Sequence, residues 1–161
     1  MYDSIIVIGI GNENRTDDGV GLAVADNIKN MNLPHVSVDY ECRECSGIIA
    51  KWKHADIAIL IDATISKKVP PGTIHRFDLS KDTLPSNIFT RFSTHAFSIV
   101  DTIQLAQSLK QLPPRVIVYG IECKSFERGM GLTAEVANAV SIAAEKIRDE
   151  IHLLLSGEIS P

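Results

Sequence analysis

Residues 5–21, IIVIGIGNENRTDDGVG, constrain the fold of this chain more than any other stretch. The first six are apolar and mostly β-branched, the pattern of a strand buried on both faces of a parallel sheet. Gly9 and Gly11 close the run, where the backbone can turn sharply or let another group approach closely. After a polar loop, Thr16-Asp17-Asp18-Gly19 opens a helix. Thr16 is expected to cap its free N–H groups, and the two acids lie at the positive end of its macrodipole. Adjacent carboxylates are thereby placed at the C-terminal end of a central strand, where open α/β sheets carry their sites.

The remaining periodicities alternate. A first helix is expected over residues 18–30, with Val20, Ala23, Val24 and Ile28 inward. Residues 36–41 alternate apolar with polar and predict a strand exposed on one face. A short helical segment over 47–53 offers Ile48, Ile49 and Trp52 to the core. Residues 56–61, DIAILI, predict a second buried strand with Asp62 at its end. Pro70-Pro71-Gly72 marks a turn before an edge strand over 73–78. Residues 80–93 show no clean period and read as a loop. A helix over 97–109 carries the stripe Ile99, Val100, Ile103 and Ala106. A last buried strand spans 115–121, weakened locally by Gly120. Thr133 is expected to cap a final helix that buries Val136, Val140, Ala144, Ile147, Ile151 and Leu154. This order implies a three-layer α/β/α sandwich around a mostly parallel, twisted sheet of about five strands. One domain is expected over residues 1–155, followed by a polar tail over 156–161.

Composition removes several classes of function. A hydrophobic share of 45% in 161 residues supplies a core without disulfide staples. A net charge of −4 provides no basic footprint for nucleic acid. No apolar stretch approaches the roughly 20 residues that span a bilayer. Residues 1–10 lack the basic start and cleavage site of a signal peptide. Three cysteines suit a reducing compartment. A cytoplasmic protein is expected, and nothing demands more than a monomer.

Gly9-x-Gly11 between a strand and a helix invites a dinucleotide-binding reading. That fingerprint needs a third glycine where Asn14 stands, and Asp17 and Asp18 would repel a pyrophosphate from the helix start. A sharper constellation is Asp18, Asp62 and His95. If the two strands pair, both acids project from the same sheet edge, and the loop Ser93-Thr94-His95-Ala96 can bring the imidazole over them. Two carboxylates and an imidazole can bind a divalent transition metal with positions left open. The bland alternative makes Asp18 a helix-start acid, Asp62 a turn former and His95 a loop residue. Asp17 can orient a ligand or serve as a helix-start acid, and Asn12 is expected to tie down the Gly11 turn. Cys42-x-x-Cys45 has no second pair and no nearby histidine, so it reads as two reduced thiols. There is no H-E-x-x-H helix and no G-x-S-x-G elbow.

Gly9-x-Gly11-Asn12, followed after four residues by Asp17-Asp18-Gly19-Val20-Gly21, resembles the opening signature of the hydrogenase maturation endopeptidases. Leu60-Ile61-Asp62-Ala63 with Pro71-Gly72-Thr73, then Ser93-Thr94-His95, and finally Gly131-Leu132-Thr133 resemble its later blocks. The resemblance implies a sandwich fold and an endopeptidase. It would remove the C-terminal extension of a nickel-loaded large-subunit precursor of a nickel–iron hydrogenase. It further implies that Asp18, Asp62 and His95 form a metal-docking triad, with Gly11, Asn12 and Asp17 in support and no general base assigned. The nickel is carried by the substrate, and zinc or cadmium is an expected occupant of the triad in crystals. One departure concerns substrate handling: residues 39–47, DYECRECSG, replace the glycine-rich Asp-Gly-Gly-Thr segment of many members. The competing class is a chaperone that recognises the same nickel site and cuts nothing.

Overall fold

The computed structural model describes residues 2–42, 47–85, 87–89 and 98–158. The apolar run ahead of the first loop forms β1 (Ile5–Ile10), with every residue buried. A 3₁₀ turn over Thr16–Gly19 leads directly into α1 (Val20–Asn30). The chain continues through β2 (Val36–Glu41), the single-turn α2 (Ile48–Lys51), β3 (Ile57–Thr64) and β4 (Ile74–Asp78). It ends with α3 (Ile99–Ser108), β5 (Arg115–Glu122) and α4 (Ala134–Ser156). Among the described residues no helix is long and apolar enough to cross a membrane.

The strands form one five-stranded sheet in the order β2-β1-β3-β5-β4, parallel except for β4, which runs antiparallel at one edge. Period-two alternation divides the side chains between two cores. Ile5 and Val7 of β1, Ile57, Ile59 and Ile61 of β3, and Ile117, Tyr119 and Ile121 of β5 pack with α1 and α4. Ile6, Ile8 and Ile10, Ala58 and Leu60, and Val116 and Val118 pack with α2, α3 and the buried Trp52. The expected sandwich is present, and β3 at its centre is buried along its whole length. From β1 the chain crosses one way to β2, then returns past β1 to β3. The strand order therefore reverses between β1 and β3, the switch point beside which open α/β sheets carry their sites.

Several boundaries differ from the sequence reading. The first helix begins as a 3₁₀ turn, and Ala25 with Gly21 faces the sheet where Ala23 was expected. Asp62 lies inside β3 rather than past its end, because β5 pairs with β3 as far as Thr64. The final strand likewise runs on to Glu122. Gly120 does not weaken β5: it stays in register with Asp62 and His75, and its missing side chain makes room for the Thr64 methyl group, 2.5 Å from where a Cβ would stand.

Gly21 explains why α1 can sit so close to the sheet. A Cβ there would stand 2.4 Å from the carbonyl oxygen of Ile61 and 2.5 Å from that of Ile10. Both neighbours are backbone, so the helix would have to lift away. Gly21→Ala is expected to cost about 1–3 kcal/mol as overpacking. The urea midpoint should fall with an unchanged slope, and a midpoint equal to wild type would refute the contact.

Candidate active site

The switch point between β1 and β3 is framed by the loop after β1 and the end of β3. Gly11 turns the chain at φ +155°, and a Cβ on it would stand 2.0 Å from the carbonyl oxygen of Asp18. That oxygen also accepts the N–H of Asn12 at 3.3 Å. Asn12 in turn accepts the N–H of Asn14 on its side-chain oxygen at 2.9 Å, the local tie expected of it. The loop therefore folds back on itself and delivers Asp17 and Asp18 to the sheet, both fully buried.

Asp62 is 1% exposed and alternates with Ile61 and Ala63, so it lies on the α3 side of the sheet just beyond Leu60. Its Oδ1 accepts the N–H of Ala63 at 2.8 Å. The 3₁₀ turn packs on β3, and Gly21 touches the carbonyl of Ile61. The segments carrying Asp18 and Asp62 are thus in direct contact at one sheet edge. His95, expected as the third member, lies outside the described residues, as does Cys45. Among the described residues no three metal-ligating side chains converge.

Asp17 has a role that local sequence does not reveal. Its carboxylate accepts backbone N–H groups from Lys124 at 2.9 Å, Ser125 at 3.0 Å and Thr133 at 2.7 Å. The Thr133 hydroxyl lies 2.9 and 2.8 Å from its two oxygens. Asp17 therefore latches the 3₁₀ turn to the β5–α4 connection. Two expected caps are corrected by the same contacts. Thr133 occupies the N-cap position of α4 but makes no side-chain bond to the helix, its hydroxyl being engaged with Asp17. Thr16 does not cap either: Arg15 holds the N-cap position, and the Thr16 hydroxyl donates to the Glu127 carbonyl at 2.5 Å.

Two further buried groups lie at the end of β5. Cys123 is pushed well up by burial, and further by the charges of Asp17 and Asp62. A raised pKa disfavours the thiolate, the nucleophilic form of cysteine. Glu122, at the end of β5, is the carboxylate that the sequence reading missed by closing the strand one residue early. Burial alone would raise its pKa. Bonds from Ser66 and the Lys67 N–H, together with His75 at 3.4 Å, outweigh that and hold it below the usual glutamate range. The signal was an acid directly after an apolar run, the same pattern that flagged Asp62.

The fold belongs to a known class. Residues 46–150 match the sequence model of HycI, hydrogenase maturation protease, and the chain belongs to that family. It is a peptidase. A Methanocaldococcus jannaschii protein, provisionally named as a hydrogenase maturation protease, is 34% identical over 157 residues, covering 91% of this chain and 96% of that protein. The hydrogenase maturating endopeptidase HybD of Escherichia coli has the same fold, with a TM-score of 0.76 at 22% identity over 96% of this chain and 94% of that one. The [NiFe] hydrogenase maturation protease HybD of Thermococcus kodakarensis superposes with a TM-score of 0.67 at 25% identity, covering 91% and 97% of the two chains.

Proposed function

We propose that this peptidase removes the C-terminal extension of a nickel–iron hydrogenase large-subunit precursor after nickel has been inserted. The observation that carries the reading is the placement of two buried acids, Asp18 and Asp62, on touching segments at the switch point of the sheet. The name of the Thermococcus relative supports a nickel–iron hydrogenase as the substrate's origin.

In this reading Asp18, Asp62 and His95 offer ligand positions to the metal carried by the precursor, and docking that metal brings the scissile bond to this end of the sheet. The substrate's metal then supplies the Lewis acid, which polarises a carbonyl or lowers the pKa of bound water from about 15.7 toward 7. The chain contributes recognition and position: buried carboxylates on the backbone at the switch point between β1 and β3. The protein acts in the cytoplasm, as a monomer.

The test is incubation with nickel-loaded precursor and with nickel-free precursor, read by mass spectrometry. The expected result is loss of the C-terminal extension only from the loaded form. Equal cleavage of both forms, or intact loaded precursor that nevertheless binds, would sink the proposal, the second outcome in favour of a chaperone. His95→Ala is expected to abolish processing with little loss of stability, and full activity in that variant would remove the triad from the mechanism.

A further inference from the structure

We propose that Glu122 is a positioning residue for Asp62: it locks the chain that leaves β3, and through that chain sets where the Asp62 carboxylate stands. This rests on the function proposed above. Strand alternation puts both acids on the α3 side of the sheet. Thr64 follows Asp62 on that face of β3, and Glu122 lies directly opposite Thr64 on β5. Glu122 is 1% exposed, so its charge is met by the groups packed around it.

Those groups divide between its two oxygens. Oε2 accepts the backbone N–H of Ser66 at 2.8 Å and that of Lys67 at 3.2 Å. Oε1 accepts the hydroxyls of Ser66 at 3.0 Å and Thr64 at 3.3 Å, and faces His75 Nε2 at 3.4 Å. One carboxylate thus gathers three residues of the segment that follows Asp62. Lys67 needs such a hold, because its φ of +59° is a left-handed conformation that costs energy for any residue with a Cβ. The main chain closes the same junction, where the Cys123 N–H donates to the Thr64 carbonyl at 2.9 Å.

The link to Asp62 is short. Its Oδ1 accepts the Ala63 N–H at 2.8 Å, so the direction of the carboxylate follows the peptide between Asp62 and Ala63. Thr64 comes next, held by Glu122 at its side chain and by Cys123 at its backbone. An apolar residue of similar volume often packs a core as well as a buried ionic group does. What a buried carboxylate supplies here is a set of acceptors that admits one backbone path after β3.

The test compares wild type, Glu122→Leu, Glu122→Gln and Asp78→Asn as full chains, at a temperature where circular dichroism shows each one folded. Leucine leaves the two N–H groups unmet. Glutamine is the rescue: its oxygen can accept both N–H groups, and its N–H₂ can face the hydroxyls and the imidazole, which accept as well as donate. Asp78→Asn weakens the pair with Arg115, 2.7 Å apart near the opposite end of β5, and controls for lost stability alone. Glu122→Leu is expected to lower kcat/KM on nickel-loaded precursor about 10–100-fold, the usual cost of removing a group that orients a metal ligand. Glu122→Gln and Asp78→Asn are expected to match wild type. The Ala63 amide resonance, which reports the bond to Asp62, should move in Glu122→Leu and stay in place in the other two.

Wild-type kcat/KM in Glu122→Leu, or an Ala63 resonance that does not move there, would overturn the positioning role. So would an equal loss in Asp78→Asn, which makes the effect one of stability, or in Glu122→Gln, which makes it one of charge. Should Glu122→Leu fail to fold, Ser66→Ala removes one donor from Oε1 and is expected to show a smaller loss with a shifted Ala63 resonance; no change in either would overturn the role equally. If wild type leaves the precursor uncut, the proposed processing fails, while the Ala63 resonance still decides whether Glu122 holds Asp62.

Discussion

Asp62→Asn is expected to eliminate processing of a nickel-loaded precursor and leave the fold intact. A carboxylate offered to a metal supplies charge and a strong oxygen donor, and an amide supplies neither charge nor comparable basicity. Changing groups that merely orient a metal ligand costs roughly 10–100-fold, so losing a proposed ligand should cost more. The structural cost should be small. Asn has nearly the same volume, and its side-chain oxygen can still accept the Ala63 N–H that Asp62 accepts at 2.8 Å. A neutral amide also avoids the desolvation of a charge that is 1% exposed. Thermal melts should agree with wild type within about 4 °C, while mass spectrometry shows uncut precursor. Processing at the wild-type rate would mean that Asp62 is only a residue of the strand.

Asp17→Ala is expected to act in the opposite sense, by damaging the fold first. Truncation would leave the N–H groups of Lys124, Ser125 and Thr133 without the acceptor they share. A buried donor left unmet costs about 1–3 kcal/mol, and bonds to a charged acceptor are the stronger kind. With some rescue by water, a total loss of about 3–5 kcal/mol is expected, comparable to breaking a buried charged pair. For a chain of this length that lowers Tm by roughly 10–15 °C. An ordinary helix-start acid contributes only about 0.3–1 kcal/mol through the macrodipole, so the size of the loss separates the two roles. Hydrogen exchange at the Ser125 and Thr133 amides should accelerate beyond the global change. Asp17→Asn should fall between wild type and alanine, since its amide keeps one acceptor oxygen but turns an N–H₂ toward donors. A loss below about 1 kcal/mol would reduce Asp17 to a dipole partner.

These two neighbours in the chain, Asp17 and Asp18, show how far sequence reaches. Both were legible as acids on a helical start after a buried strand. Nothing local assigns them different work, because what distinguishes them is the partner each meets. The partners of Asp17 lie 107 to 116 positions away. The same holds for Thr16 and Thr133, whose hydroxyls fit the pattern of helix caps. Each is drawn instead to the opposite side of the junction between the first loop and the β5–α4 connection. A cap is worth about 1 kcal/mol, and a charge-assisted bond to a buried carboxylate is worth more.

Alternation and helical spacing are local properties, so the sequence alone was enough to order the strands and helices along the chain and to expect β4 at an edge. That Asp18 and Asp62 share a sheet edge followed only if β1 and β3 pair, as they do. The extra length of β3 and β5 escaped it. Thr64 and Glu122 extend these strands only because they pair with each other, and neither shows that preference in its own neighbourhood. The close approach of Gly21 to Ile61 and Ile10 and the latch on Asp17 likewise came only with the tertiary structure. Each joins segments that no periodicity connects, and chain closure across such separations is decided by the packed sheet rather than by the residues on either side.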